Sequence, residues 1–186
     1  MYSRRHHNGR KGYGLDEELM MGCAPDGART LVNTTEPHTS PELMNTPITL
    51  TVGASYSVSW TGDVTTTTSD YIYPFRVYGG TSALYDMCDI RIRKNSYGID
   101  ISADMFDTII FVFGLEEMNT YTHEIRFTVT DVTKKDGINV YTVTAGYYIN
   151  GSKLTEESDI KNTVDVGEGL RYYDNLPGTF VIKKLS

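Results

Sequence analysis

The stretch that most limits how this chain can fold runs from Tyr121 to Ile149. Ile125, Phe127 and Val129 alternate with Glu124, Arg126, Thr128 and Thr130. Lys134-Lys135-Asp136-Gly137 then supplies a turn, and Tyr141, Val143, Ala145, Tyr147 and Ile149 alternate on the return. Successive side chains of a strand leave on opposite faces, so this pattern is a β-hairpin with one dry and one wet face. A lone hairpin cannot shelter its dry face from water, and a second sheet has to cover it. His123 falls on the Ile125 face near the start of the strand, where a packed histidine is expected. In Tyr147-Tyr148 one ring is expected in the core and the other outside.

The rest of the chain after Pro47 agrees with that demand. Alternation or apolar runs predict strands over residues 48–52, 56–60, 71–78, 88–93, 108–113, 160–166 and 179–185. Pro74 marks the third of these as an edge strand or a broken one. Thr108 to Phe113 is almost continuously apolar, as in a strand buried on both faces. Asn150-Gly151 is a further turn. The expected fold is all-β, an immunoglobulin-like or jelly-roll-like antiparallel sandwich of about eight or nine strands over residues 47–186.

Residues 1–46 read differently. They form a basic, irregular arm with room for one short helix over residues 15–21, which carries acids in its first turn and Leu15, Leu19 and Met20 on one side. Residues 22–46 are rich in turn formers, with Pro25, Gly27, Asn33, Pro37 and Pro41 among them. Such a segment cannot build its own core, so it is either disordered or ordered on another surface.

The net charge of −7 conceals an asymmetry. Arg4, Arg5, Arg10 and Lys11 give residues 1–14 a charge of +4 with no acid, and the other 13 basic and 24 acidic side chains leave −11. A cationic end on an acidic body suits an acidic partner for the arm, whether protein surface or nucleic acid, and argues against nucleic-acid binding by the body. The sequence has no apolar run long enough for a membrane span, and no apolar stretch behind its basic start that would make a secretory signal. Leu19 to Cys23 resembles a lipoprotein cleavage site only until Asp16-Glu17-Glu18 is noticed in front of it. Cys23 and Cys88 lack metal-type spacing and read as free thiols made in a reducing compartment.

A search for catalytic signatures returns none: no nucleophile elbow, no phosphate loop and no dinucleotide fingerprint. His6-His7 could hold a transition metal, but in such an arm they read better as solvated imidazoles. Asp100, Asp104 and Asp107, or Asp131 with Asp136, could meet calcium, yet neither set has the spacing of a calcium loop, so solvated turn acids are expected. Glu116-Glu117 and Glu156-Glu157 read as loop charges. Asn33-Thr34-Thr35 and Asn150-Gly151-Ser152 match the glycosylation pattern without a signal that would expose them to it. No cofactor and no metal ligand is expected. Tyrosine is in excess, with 14 copies. Tyr71, Tyr73, Tyr148 and Tyr172 are the candidate interface aromatics, with ordinary strand propensity as the competing explanation.

Three stretches carry a resemblance: Ile48-Thr-Leu-Thr-Val-Gly53, Tyr85-Asp-Met-Cys-Asp-Ile-Arg-Ile-Arg93, and Tyr121 to Val129 followed by Tyr141 to Ile149. Together they resemble the N-terminal β-sandwich domain of phage baseplate upper proteins and related tail- or fibre-attachment proteins, over a little more than half of the chain. The basic arm and the segment after Ile149 depart from it. The resemblance implies a non-enzymatic virion structural protein assembled in the host cytoplasm, such as a head-decoration, head-fibre or tail-attachment subunit. It would be a homo-oligomer in contact with capsid, portal or tail proteins. Arg4, Arg5, Arg10, Lys11, Leu15, Leu19 and Met20 would then grip the particle or its DNA. The alternative expectation is a carbohydrate-binding sandwich that uses its exposed tyrosines, and a glycan-active enzyme would need a carboxyl pair that the sequence does not single out.

Overall fold

The computed structural model describes residues 28–35, 38–43, 50–63, 71–79, 86–96, 98–106, 108–115, 120–164, 170–174 and 177–186. The arm residues Arg4, Arg5, Arg10, Lys11, Leu15, Leu19 and Met20, with His6, His7, Cys23, Asp107 and Glu116-Glu117, lie outside them. Every element among the described residues is a strand. In chain order these are β1 (Arg29–Thr34), β2 (His38–Leu43), β3 (Ser55–Asp63), β4 (Ile72–Gly79), β5 (Asp86–Asn95) and β6 (Gly98–Met105). They continue as β7 (Thr108–Leu115), β8 (Thr120–Lys135), β9 (Ile138–Ile149), β10 (Ser152–Val164), β11 (Leu170–Asp174) and β12 (Thr179–Lys184).

Two antiparallel sheets of six strands result. Sheet I has the order β1-β12-β3-β8-β9-β10, and sheet II has β2-β11-β4-β5-β6-β7. The expected hairpin is the centre of sheet I. Asp136 and Gly137, at φ of 52° and 83°, form its two-residue turn, and Asn150-Gly151, at 49° and 80°, turns β9 into β10. Both φ values of such a turn must be positive for its twist to match that of the strands, which is why Asp-Gly and Asn-Gly occupy it.

The sheets close face to face over one apolar layer. From sheet I come Tyr56, Val58, Trp60, Ile125, Phe127, Val129, Val143, Tyr147, Phe180 and Ile182. Sheet II answers with Phe75, Val77, Cys88, Ile90, Ile92, Ile99, Ile101, Ala103 and Met105. Phe75 meets Phe180 across the gap at 5.5 Å between ring centroids, and Phe106 sets its edge against Phe127 at 4.9 Å. Each fully covered aliphatic or aromatic side chain contributes roughly 1.5–3 kcal/mol, so this layer dominates the stability. Trp60 leaves so little room that a Cβ at Gly62 or Gly178 would run into its indole ring.

The all-β sandwich is as expected, with four differences of detail. Residues 29–34 and 38–43, expected within the irregular arm, are the outer strands of the two sheets, β1 on β12 and β2 on β11. Residues 50–52, expected as the end of a strand, are not in one, and the turn expected at Gly53-Ala54 falls at residues 52–53, where the Gly53 amide donates to the Val129 carbonyl. Of the two expectations for Pro74 the edge is not met and the break is: β4 lies between β11 and β5, and its pairing with β5 shifts between Ile72 and Phe75 to pass the proline. Thr108 to Phe113 lies in β7 at the rim of sheet II, with Ile109 46% exposed.

Because β1 and β2 cap one side of the sandwich, truncations should separate. Removal of residues 1–46 strips one strand from each sheet and should lower the thermal midpoint well below that of a chain lacking only residues 1–27. Equal midpoints in differential scanning calorimetry would contradict the strand assignment.

Candidate functional site

The strands that build the core present a second set of side chains outward. On the outer face of sheet II the expected turn acids prove to be structural. Asp100 and Asp104 lie on β6, not in a loop, and Asp89 of β5 is fully buried. Arg91 grips Asp89 with two hydrogen bonds of 2.8 and 3.0 Å and donates a third, of 2.9 Å, to Asp104. Arg93 approaches Asp100 at 3.4 Å, and Arg76 approaches Asp89 at 3.8 Å. Burial pushes the Asp89 carboxyl up to about 6, against the pull of the Arg91 hydrogen bonds. The carboxylates are thus consumed by arginines and do not converge on an open position. Tyr73 lies under Arg76 at 5.0 Å and Tyr71 under Arg93 at 4.7 Å, so both candidate aromatics on this face carry a guanidinium.

The outer face of sheet I is different. Ser55, Ser57 and Thr61 of β3, Thr122, Glu124, Arg126 and Thr128 of β8, and Thr144 and Tyr148 of β9 form adjoining polar rows in register. Hydroxyls bond across the strands, Ser55 to Thr128 at 2.8 Å and Thr61 to Thr122 at 2.9 Å. Arg126 donates to Glu124 at 2.7 Å and lays its guanidinium 4.2 Å from the centre of the Tyr148 ring. Burial alone would raise the Glu124 carboxyl, but hydrogen bonds from Arg126 and Ser57 hold it below its ordinary value. The Arg126 Nε is buried and has no hydrogen-bond partner among the described residues.

Gly146 borders the concave part of this face. It pairs with Arg126 on one side and Glu156 of β10 on the other. The Tyr148 ring and the Thr155 carbonyl close over the glycine, and beside them lies a hollow of about 190 Å³ lined by Ser55, Arg126, Thr128, Thr144, Gly146, Tyr148 and Glu156. A Cβ at Gly146 would stand 3.1 Å from the Tyr148 ring and 3.2 Å from the Thr155 carbonyl.

Tyr148 is therefore the candidate aromatic that lines this hollow. Tyr172 lies on β11 between Val77 and Glu42, away from this face. Arg126, Glu124 and Gly146 are not singled out by sequence, because each holds an ordinary outward position of an alternating strand. The available signal is Gly146 itself, the single outward place between Thr144 and Tyr148 with no side chain. Among the described residues no group of three or more His, Cys, Asp or Glu side chains could hold a metal ion.

His123 is in the core, as its face predicts. Its Nδ1 lies 2.7 Å from the Tyr147 hydroxyl, its ring is stacked 6.0 Å from Trp60, and its Nε2 has no partner among the described residues. Burial pulls its pKa from 6.5 down to about 4 and lifts that of Tyr147. Neither ring is placed to act on a bound molecule.

No protein-family model and no curated protein matches the sequence. Among solved structures the chain is similar to the galectin LEC-6 of Caenorhabditis elegans, at 9% identity and a TM-score of 0.41 over 83% of this chain and 95% of that one. It is also similar to a double mutant of the alginate lyase Aly36B in complex with alginate trisaccharide, at 9% identity and a TM-score of 0.43 over 85% of this chain and 78% of that one. With TM-scores of that size, nothing about ligand or activity passes from those proteins to this chain.

The buried imidazole gives a pH signature with a definite sign. Between about 6.5 and 4 the unfolded chain takes up a proton that folded His123 refuses. Its contribution to stability is complete above that window and is lost as the pH falls through it. Asp89, raised above its unfolded value of 3.8, acts in the opposite direction over nearly the same range. The difference between wild type and His123→Phe, from which Asp89 cancels, isolates the histidine. From pH 7 to 4, wild type should lose about 3 kcal/mol relative to the variant. Urea unfolding at the two pH values measures this, and a difference that does not change with pH would contradict the buried neutral ring.

Proposed function

We propose that the outer face of sheet I is a carbohydrate-binding surface, and that the chain is a non-catalytic glycan-binding protein. The observation that carries this reading is the Gly146 hollow, where an aromatic ring, a fixed guanidinium, a carboxylate and a fringe of hydroxyls converge. A sugar ring combines an apolar C–H face with hydroxyls that both donate and accept. Recognition therefore calls for an aromatic surface beside rigid planar polar groups. The part of the half-buried Tyr148 ring that the Arg126 guanidinium leaves uncovered supplies the first. Arg126 and Glu156 supply the second, and Ser55, Thr128 and Thr144 add adaptable donors and acceptors. The hollow is smaller than a typical pocket for a drug-sized ligand, so it suits one sugar ring of a chain that otherwise lies along the sheet.

The chemistry of the acids supports binding without cleavage. Glycoside hydrolysis needs one carboxyl kept protonated near neutral pH beside a second that is ionised. Glu124 is held ionised by Arg126 and Ser57, and Glu156 is engaged by Lys153 at 3.0 Å. Asp89 has a raised pKa but sits fully covered on the other sheet.

A glycan microarray probed with the full chain tests this reading. Binding to a defined set of glycans is expected. Gly146→Val, Arg126→Ala and Tyr148→Ala should each weaken it by about tenfold or more while the chain stays folded. Absence of binding, or binding that all three variants retain, would contradict the proposal.

A second reading makes the chain a phage virion structural protein carried on the particle by its basic first segment. What favours it is that β1 and β2 tie the chain that follows the arm into both sheets, so a partner holding residues 1–27 would hold the whole sandwich. The two readings are compatible, with particle attachment at one end and glycan contact on sheet I. Loss of co-sedimentation with particles on removal of residues 1–27 is the expected result, and undiminished incorporation would contradict this second reading.

A further inference from the structure

Among the described residues four strands end the two sheets: β1 and β10 in sheet I, β2 and β7 in sheet II. An open strand edge invites pairing with another chain, and proteins guard such edges with charges, prolines and bulges. Three of the four are guarded. β10 carries Lys153, Glu156, Glu157, Asp159 and Lys161, with two shifts of register against β9. β1 begins with Arg29 and has a register shift between Thr30 and Val32, while β2 contains Pro41 and Glu42. β7 is the least guarded: its single irregularity is a register shift at its far end, between Phe113 and Leu115. Its sequence, TIIFVFGL, has no charge and no proline, and it pairs with β6 without interruption from Thr108 to Phe113. It has the sequence of a central strand and the position of an edge strand.

We propose that β7 pairs with β7 of a second copy of this chain, antiparallel about a two-fold axis, so that two copies of sheet II form one continuous sheet. A second copy is the occupant that this strand fits, because in two-fold pairing each charge on a strand faces either its own image or another residue of the same strand. An uncharged strand has no such conflict. The alternation fixes the register. Ile110 packs against the core, whereas Ile109 is exposed. An axis at residue 111 keeps the alternation in phase, setting position 110 of one copy opposite position 112 of the other and 109 opposite 113. The inference is independent of the glycan reading, since the Gly146 hollow lies on sheet I.

Sedimentation velocity of the full chain should give the mass of two chains. Ile109→Lys, at an exposed position, should give the mass of one, with a cooperative thermal transition whose midpoint no longer depends on protein concentration. Phe111→Cys in a Cys23→Ser background should form a disulfide between copies under mild oxidation, because Cα atoms directly opposite in an antiparallel pair are about 4.5–5.5 Å apart, within disulfide reach. A wild-type chain that sediments as one copy at its highest soluble concentration would overturn the proposal. So would a dimer that survives Ile109→Lys and does not cross-link through position 111.

Discussion

Strand β8 sends His123, Ile125, Phe127 and Val129 into the space between the sheets, and Thr122, Glu124, Arg126 and Thr128 out of it. Both the core and the candidate site depend on that one parity. A slip of one residue against β3 or β9 would take Phe127 away from Tyr56 and Phe106 and bury the guanidinium of Arg126 in its place. Burial of an unpaired charge costs far more than any single contact on either face contributes, so the register is strongly specified. The outward face is free to carry polar chemistry because the inward face alone holds the sheets together.

The two outer faces use polar groups to opposite ends. On sheet II, three aspartates and three arginines neutralise one another over Tyr71 and Tyr73. Such buried or half-buried pairs add little net stability over apolar packing, but removing one partner strands the other, so the array favours this arrangement of strands over alternatives. On sheet I the polar groups are more open to water, and a glycine interrupts the side-chain layer. Arg126 is held there by Glu124 and the Tyr148 ring, and it borders a hollow that a small polar molecule can enter. Polar groups fixed in advance lose little entropy when a ligand arrives.

Much of this is legible in the sequence. The β8–β9 hairpin, both Gly-containing turns, the inward His123 and the opposed pair Tyr147-Tyr148 all follow from period-two alternation, the strongest local signal a half-buried strand gives. β6 escapes such a reading although Ile99, Ile101, Ala103 and Met105 alternate. The acids between them look like loop residues because their partners, Arg91 and Arg93, are neighbours only across strands. β1, β2 and β11 are short and lie at or beside the sheet rims, where few apolar positions are needed, and Pro41 makes β2 look like a turn. Of the site, Tyr148 is recognisable as an outward ring. The roles of Arg126, Glu124 and Gly146 arise from cross-strand register, which alternation alone does not reveal.

The central claim is that the outer face of sheet I receives a ligand. The most direct measurement is a backbone amide NMR titration of the full chain with the glycan it binds. The account predicts saturable shifts confined to Ser55, Arg126, Thr128, Thr144, Gly146, Tyr148 and Glu156 and their neighbours, with sheet II unmoved. Shifts concentrated instead around Tyr71, Tyr73 and the arginines of sheet II, or no saturable shift at all, would contradict it.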